Sequence, residues 1–208
     1  MKVLLVNGAP HEKGCTYTAL CQIEKELNNE GIETEIFWLG NKQIRGCIGC
    51  GGCASNNGKC VFDDDIVNTF IDKAKESDGF VFGSAVHYAA PSGTICAVLD
   101  RAFYAGSANF RYKPGSAIVS CRRAGSTAAL EVLNKYFTIS NMPYVSSGYW
   151  NMVHGSKAED VLQDEEGMQI MRSLGRNMAW LLKCIENGKN NGISHPVPEA
   201  KIRTNFIR

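Results

Sequence analysis

Lys2-Val3-Leu4-Leu5-Val6-Asn7-Gly8-Ala9-Pro10-His11-Glu12-Lys13-Gly14-Cys15-Thr16 is the stretch from which the rest of the chain is read. Its aliphatic, partly β-branched run has the composition of a buried strand and stops at Asn7-Gly8. A short polar loop follows, and after Cys15 a helical period begins. Strand, tight loop and helix start, in that order, aim loop amides and the positive end of a helix dipole at one point. Such a point holds a phosphate.

Two standard nucleotide loops do not match. A dinucleotide fold needs G-x-G-x-x-G and an acid closing the second strand. Here only Gly8 and Gly14 are present, and the second strand closes on Phe37-Trp38-Leu39. A P-loop needs a lysine before the hydroxyl residue, and Gly14-Cys15-Thr16 lacks it.

Leu20, Ile23 and Leu27 carry the first helix to a stop at Gly31, and Thr34 to Leu39 forms a second strand. Asp63-Asp64-Asp65 caps a helix bearing Ile66, Phe70 and Ala74. Gly79 to Gly83 is a buried strand. Pro91-Ser92 opens a helix with Ile95, Leu99, Ala102 and Phe103 on one face. Gly115 to Cys121 is a fourth strand, Leu130, Leu133 and Phe137 mark a fourth helix, and Tyr144 to Tyr149 is read as the fifth strand. The last helix carries Met171, Leu174, Met178, Leu181, Leu182 and Ile185 and ends at Asn187-Gly188. Five alternations make an α/β, doubly wound, five-stranded parallel sheet with helices on both faces. Residues 1–187 form the domain, and 188–208 a tail lying on the body or on a partner subunit. Ligands bind such sheets at the strands' carboxyl ends, where loops 7–18, 83–92 and 120–127 converge, all rich in small and polar residues.

The chain has 208 residues, 44% of them hydrophobic, enough for one well-buried core. A net charge of +1 gives no footprint for nucleic acid or for a membrane surface. The absence of a signal-like start or a long apolar run leads us to expect a cytoplasmic protein. No H-E-x-x-H motif is present. There are nine cysteines, and Cys47, Cys50, Cys53 and Cys60 read C-x2-C-x2-C-x6-C inside loop 40–62, with Gly49, Gly51 and Gly52 as turning spacers. Three readings stay open: a 4Fe–4S cluster, a four-thiolate zinc site, or no metal. Cys96, Cys121 and Cys184 sit in apolar runs and read as core residues. Cys15, at a helix start, is placed for a lowered pKa, although a structural role is the simpler reading.

The opening loop resembles the G-S-P-R-x-x-G-N-T loop of the NADPH-dependent FMN reductase branch of flavodoxin-like proteins. Gly83-Ser84-Ala85-Val86-His87-Tyr88-Ala89-Ala90-Pro91-Ser92-Gly93 resembles that family's second flavin loop, and Arg122-Arg123-Ala124-Gly125-Ser126-Thr127 its third. The ending Thr204-Asn205-Phe206-Ile207-Arg208 is similar to the close of some members. The chain departs from the family at Ala9, His11 and Cys15, which replace serine, arginine and asparagine, and at Ala85, which replaces proline.

The resemblance implies a flavodoxin-like fold, FMN as cofactor and NAD(P)H as donor. Ala9, His11, Cys15, Thr16, Tyr17 and Thr18 would surround the phosphate. Ser84, Ala85, Val86, His87 and Tyr88 would hold the ring and ribityl chain, and Arg122, Arg123 and Gly125 would border the pyrimidine end. It implies reduction of a flavin, a quinone or another small acceptor, catalysed by the cofactor with no catalytic side chain, in a homodimer or homotetramer. The cysteine pattern itself resembles that of iron-sulfur flavoproteins, which implies a second function: a cluster-bearing electron carrier with a ferredoxin-like partner. A non-enzymatic flavodoxin-like electron-transfer module is the third.

Overall fold

The computed structural model describes residues 1–200 and 202–206. Five parallel strands form its sheet in the order β2-β1-β3-β5-β6: β1 (Lys2–Asn7), β2 (Glu33–Trp38), β3 (Gly79–His87), β5 (Gly115–Cys121) and β6 (Met152–His154). A two-residue strand, β4 (Ala90–Pro91), folds back antiparallel on the end of β3. Leu5 at the centre of β1 registers with Ile36 on one side and Val81 on the other.

Strand side chains alternate between two cores, as period-2 geometry requires. Val3, Leu5 and Val81 face α1 (Cys15–Asn29), α5 (Ala158–Gln163) and α6 (Glu165–Asn190). Leu4, Val6, Phe80 and Phe82 face α2 (Val67–Lys75), α3 (Gly93–Ala105) and α4 (Ser126–Thr138). That second core is aromatic: Phe103 stacks on Phe110 at 4.2 Å and Phe82 on Phe137 at 5.0 Å. Truncating a buried ring such as Phe82 to alanine would cost about 3–5 kcal/mol. The strand order reverses between β1 and β3, which puts the switch point beside the β1 loop.

Four expectations need correction. The fifth strand is Met152–His154, whereas Tyr144 makes only an isolated bridge to Gly115. Serine and glycine at 146–148 follow it, and the chain runs on without pairing until Met152. The last helix passes Asn187-Gly188 and ends at Asn190, so the expected domain boundary falls inside α6. Cys184 is exposed rather than in the core, because it lies on the outer face of α6, while Cys121 is buried and Cys96 half-buried. Helix α2 begins after Ile66, and of the three aspartates Asp65 alone accepts from a first-turn amide, that of Val67 at 3.1 Å. Residues 191–200 and 202–206 of the tail are exposed, and the tail touches the body where His195 stacks on Tyr112 at 4.4 Å. Ile207 and Arg208, part of the C-terminal resemblance, lie outside the described residues. Among the described residues no helix is long and apolar enough to cross a membrane.

Candidate functional site

A cavity of about 350 Å3 opens at the carboxyl edge of the sheet, lined from β1, β3, β5 and β6. Its first wall is the opening loop, which Asn7 shapes from beneath. The fully buried Asn7 side chain accepts from the Ala9 amide at 3.1 Å and donates to the Glu12 carbonyl at 2.8 Å. The Trp38 indole donates to the Ala9 carbonyl at 2.9 Å, and the Ser92 hydroxyl to the Gly8 carbonyl at 2.6 Å. These bonds consume the loop's inward carbonyls and fix its path into α1. Helix α1 starts at Gly14 with no side-chain cap and no acidic residue in its first turn. No side-chain cap or first-turn carboxylate competes for its first amides and positive dipole end, which suits them to receiving an anion.

Thr16 joins the first wall to the third. Its Oγ1 lies 2.9 Å from the Ser120 hydroxyl, and both residues are buried. Gly125, at φ +85°, packs against the second loop, where a Cβ would fall 2.4 Å from the Tyr88 carbonyl oxygen. Only glycine meets both conditions. Cys15 donates its thiol to the Gly155 carbonyl at 3.6 Å, and burial raises its pKa, opposite to the lowering that a helix start alone predicts.

The structure gathers Ala9, His11, Cys15, Thr16, Ala85, Val86, His87 and Arg122 around this one cavity. It sets six other expected residues outside the lining. Tyr17 turns toward Cys21, Thr18 bonds back to the Gly14 carbonyl, and Ser84 is buried among backbone groups. Tyr88 projects fully into solvent at φ +58°. Arg123 is exposed, and Gly125 serves as the contact between two loops. Pro10, Gly14, Ser120 and Cys121 complete the lining from loops the sequence identified, and Gly155 and Ser156 come from one it missed. The signal for that last pair was the short Met152-Val153 run ahead of Gly155-Ser156.

The four loop cysteines rim a second, largely apolar cavity of about 110 Å3, together with Phe62, Arg101 and Tyr104. Gly49 and Gly51 turn the loop at φ +64° and +70°. Cys47 and Cys50 are exposed, Cys53 is half-buried and Cys60 buried. Among the described residues no three His, Cys, Asp or Glu side chains stand close enough to share one metal ion. The donor set still suits an iron–sulfur cube in chemistry: four thiols on one cavity, with a buried guanidinium at one of them. The two cavities share no lining residue.

The model of a family described as NADPH-dependent FMN reductase matches residues 1–157. An iron-sulfur flavoprotein of Methanocaldococcus jannaschii is 30% identical, over 89% of this chain and all of its own length. One from Archaeoglobus fulgidus is 27% identical, over 87% of this chain and 97% of its own. Among solved structures, RosB with bound 8-demethyl-8-formylriboflavin-5'-phosphate superposes with a TM-score of 0.69 at 13% identity, covering all of this chain and 94% of that one. At that identity the likeness is one of fold.

Proposed function

The chain belongs to the NADPH-dependent FMN reductase family, which makes it an FMN-dependent oxidoreductase, and from that premise we propose that NAD(P)H is its electron donor. One observation carries the site assignment: the carboxyl ends of four β-strands and the uncapped start of α1 close on a single cavity at the sheet's switch point. When bound, FMN supplies a ring that accepts hydride and gives electrons back singly or in pairs. The protein supplies position and charge. Amides of the first turn of α1, with Thr16 and His11, hold the phosphate. Ala85, Val86 and His87 form the wall for the ring and ribityl chain. Arg122 places positive charge at the rim, where it favours the more negative, reduced ring. No side chain need act as acid or base, and a small acceptor docks where the donor docked.

The four-cysteine cavity favours a second component within the same protein, a 4Fe–4S cluster on Cys47, Cys50, Cys53 and Cys60. Its support is the shared cavity and the likeness to two relatives that are iron-sulfur flavoproteins by name. When bound, such a cluster supplies single-electron transfer, suited to a ferredoxin-like partner. The proposal includes assembly as a dimer or tetramer through loop 40–62 and the tail, where Ile48, Val197 and Phe206 are exposed. A monomer at micromolar concentration by sedimentation removes that part.

The decisive experiment is anaerobic purification with flavin, iron, sulfide and zinc assays on one sample, followed by NADH and NADPH oxidation. Flavin with pyridine-nucleotide oxidation supports the reductase. Flavin without it leaves an electron-transfer module, and zinc without sulfide replaces the cluster.

A further inference from the structure

Among the described residues Arg101 is the one buried arginine, 2% exposed, on the face of α3 that otherwise carries Val98 and Ala102. Burying a guanidinium is costly unless every donor finds a partner. Its partners all lie in one segment, residues 45–65. Nη2 donates to the Phe62 carbonyl at 2.8 Å, Nη1 to the Arg45 carbonyl at 3.2 Å and to the Asp65 carboxylate, and Nε to the Cys60 sulfur at 3.3 Å. Cys60 is pinned from its other side as well. Its amide donates to Asn68 Oδ1 at 2.8 Å, and its carbonyl accepts from Asn68 Nδ2 at 2.9 Å and Asn56 Nδ2 at 3.0 Å. Among the described residues Cys47 and Cys50 have no comparable hold, and Cys53 reaches the Tyr104 carbonyl at 3.8 Å and no other partner. The four thiols are thus unequal: one is buried, fixed and paired with a cation, and three are looser.

We propose that Arg101 is the positioning residue of the cysteine site, holding the Cys60 sulfur as its fixed corner and raising the reduction potential of the cluster bound there. The inference rests on the cluster reading above. A buried N–H donor and positive charge at a ligand sulfur favour the more negative state of the centre. Asp65, on the same guanidinium, offsets part of that charge. Removing Arg101 and removing the Asp65 charge should therefore move the potential in opposite directions, which a staple with no electrostatic role would not do.

The test reconstitutes wild type, Arg101→Met, Arg101→Lys and Asp65→Asn anaerobically with ferrous iron and sulfide. Iron, sulfide and flavin are counted, and each sample is titrated with dithionite while its EPR signal is followed. Dithionite supplies one electron per cluster, whose charge becomes one unit more negative. We expect Arg101→Met to lower the one-electron reduction constant about tenfold or more, about 59 mV. Asp65→Asn should raise it, and Arg101→Lys should recover part of the loss. Should Arg101→Met load no cluster, the lysine and asparagine variants carry the comparison. Potentials unmoved in every loaded variant overturn the role of Arg101 and leave the cluster standing. A wild type that takes up no iron and sulfide overturns the cluster reading itself, and this inference with it.

Discussion

Replacing Gly125 by alanine probes whether the second and third loops form one wall. At φ +85° an L-residue costs about 1–2 kcal/mol in backbone strain. The new Cβ would also lie 2.4 Å from the Tyr88 carbonyl oxygen and 3.1 Å from Ala89 Cα. Both are backbone atoms, so no side chain can swing aside and the loops themselves must part. Strain and displacement together should destabilise the protein by at least about 2 kcal/mol, a fall in Tm of roughly 4–8 °C for a chain of this size. His87 and Arg122, on the two parted loops, both line the flavin cavity. FMN affinity should fall about tenfold, equivalent to about 1.4 kcal/mol. Circular dichroism melts of the flavin-free chain and quenching of FMN fluorescence measure the two effects separately. Gly148→Ala is the control, since its Cβ would meet nothing within 4 Å. A Gly125→Ala protein that melts like wild type and binds FMN with a Kd within about twofold would refute the packing of these loops.

Thr16→Val leaves the Ser120 hydroxyl buried without its 2.9 Å partner and should cost about 1–3 kcal/mol in urea unfolding; an unchanged midpoint would break the link between α1 and β5. Burial pushes the Glu35 carboxyl up, but hydrogen bonds from Lys73 and Lys2 outweigh it and hold the group below its ordinary 4.5. A carboxyl lowered in the folded state adds stability above the unfolded value and loses it as pH falls through the folded one. Glu35→Gln should therefore flatten the acid limb of the stability curve below pH 4.5, and an acid limb like wild type's would contradict the ion-pair assignment. Burial also raises the Cys15 thiol, so iodoacetamide at neutral pH should label exposed Cys47 and Cys50 well before it, as peptide mapping of the metal-free chain would read; Cys15 labelled first would contradict this.

The parts legible in sequence were those where pattern and environment agree. The aliphatic run of β1 is buried on both faces, so its composition alone gives a central parallel strand. Gly115–Cys121 was readable for the same reason. Strand β6 was hidden because three residues carry too little pattern, while Tyr144 and Val145 showed a stronger apolar signal that reaches only one bridge. Gly155 and Ser156 were missed with it. Tyr17, Thr18 and Tyr88 were placed by loop position, yet which way a loop side chain turns depends on bonds such as that of Thr18 to Gly14. Arg101 was invisible for another reason. A charge on a helix reads as a solvent-facing residue, and only the folded loop reveals that Cys60, Phe62 and Asp65 wrap it.

The central claim is that the cavity at the carboxyl edge of the sheet grips a flavin by its phosphate. Calorimetric titration of the flavin-free chain with FMN and with riboflavin tests it most directly. The structure predicts saturation at one FMN per chain and a riboflavin affinity lower by about one to two decades, the worth of charge-assisted bonds to the first turn of α1. Equal affinity for the two flavins, or no heat from FMN, would contradict it.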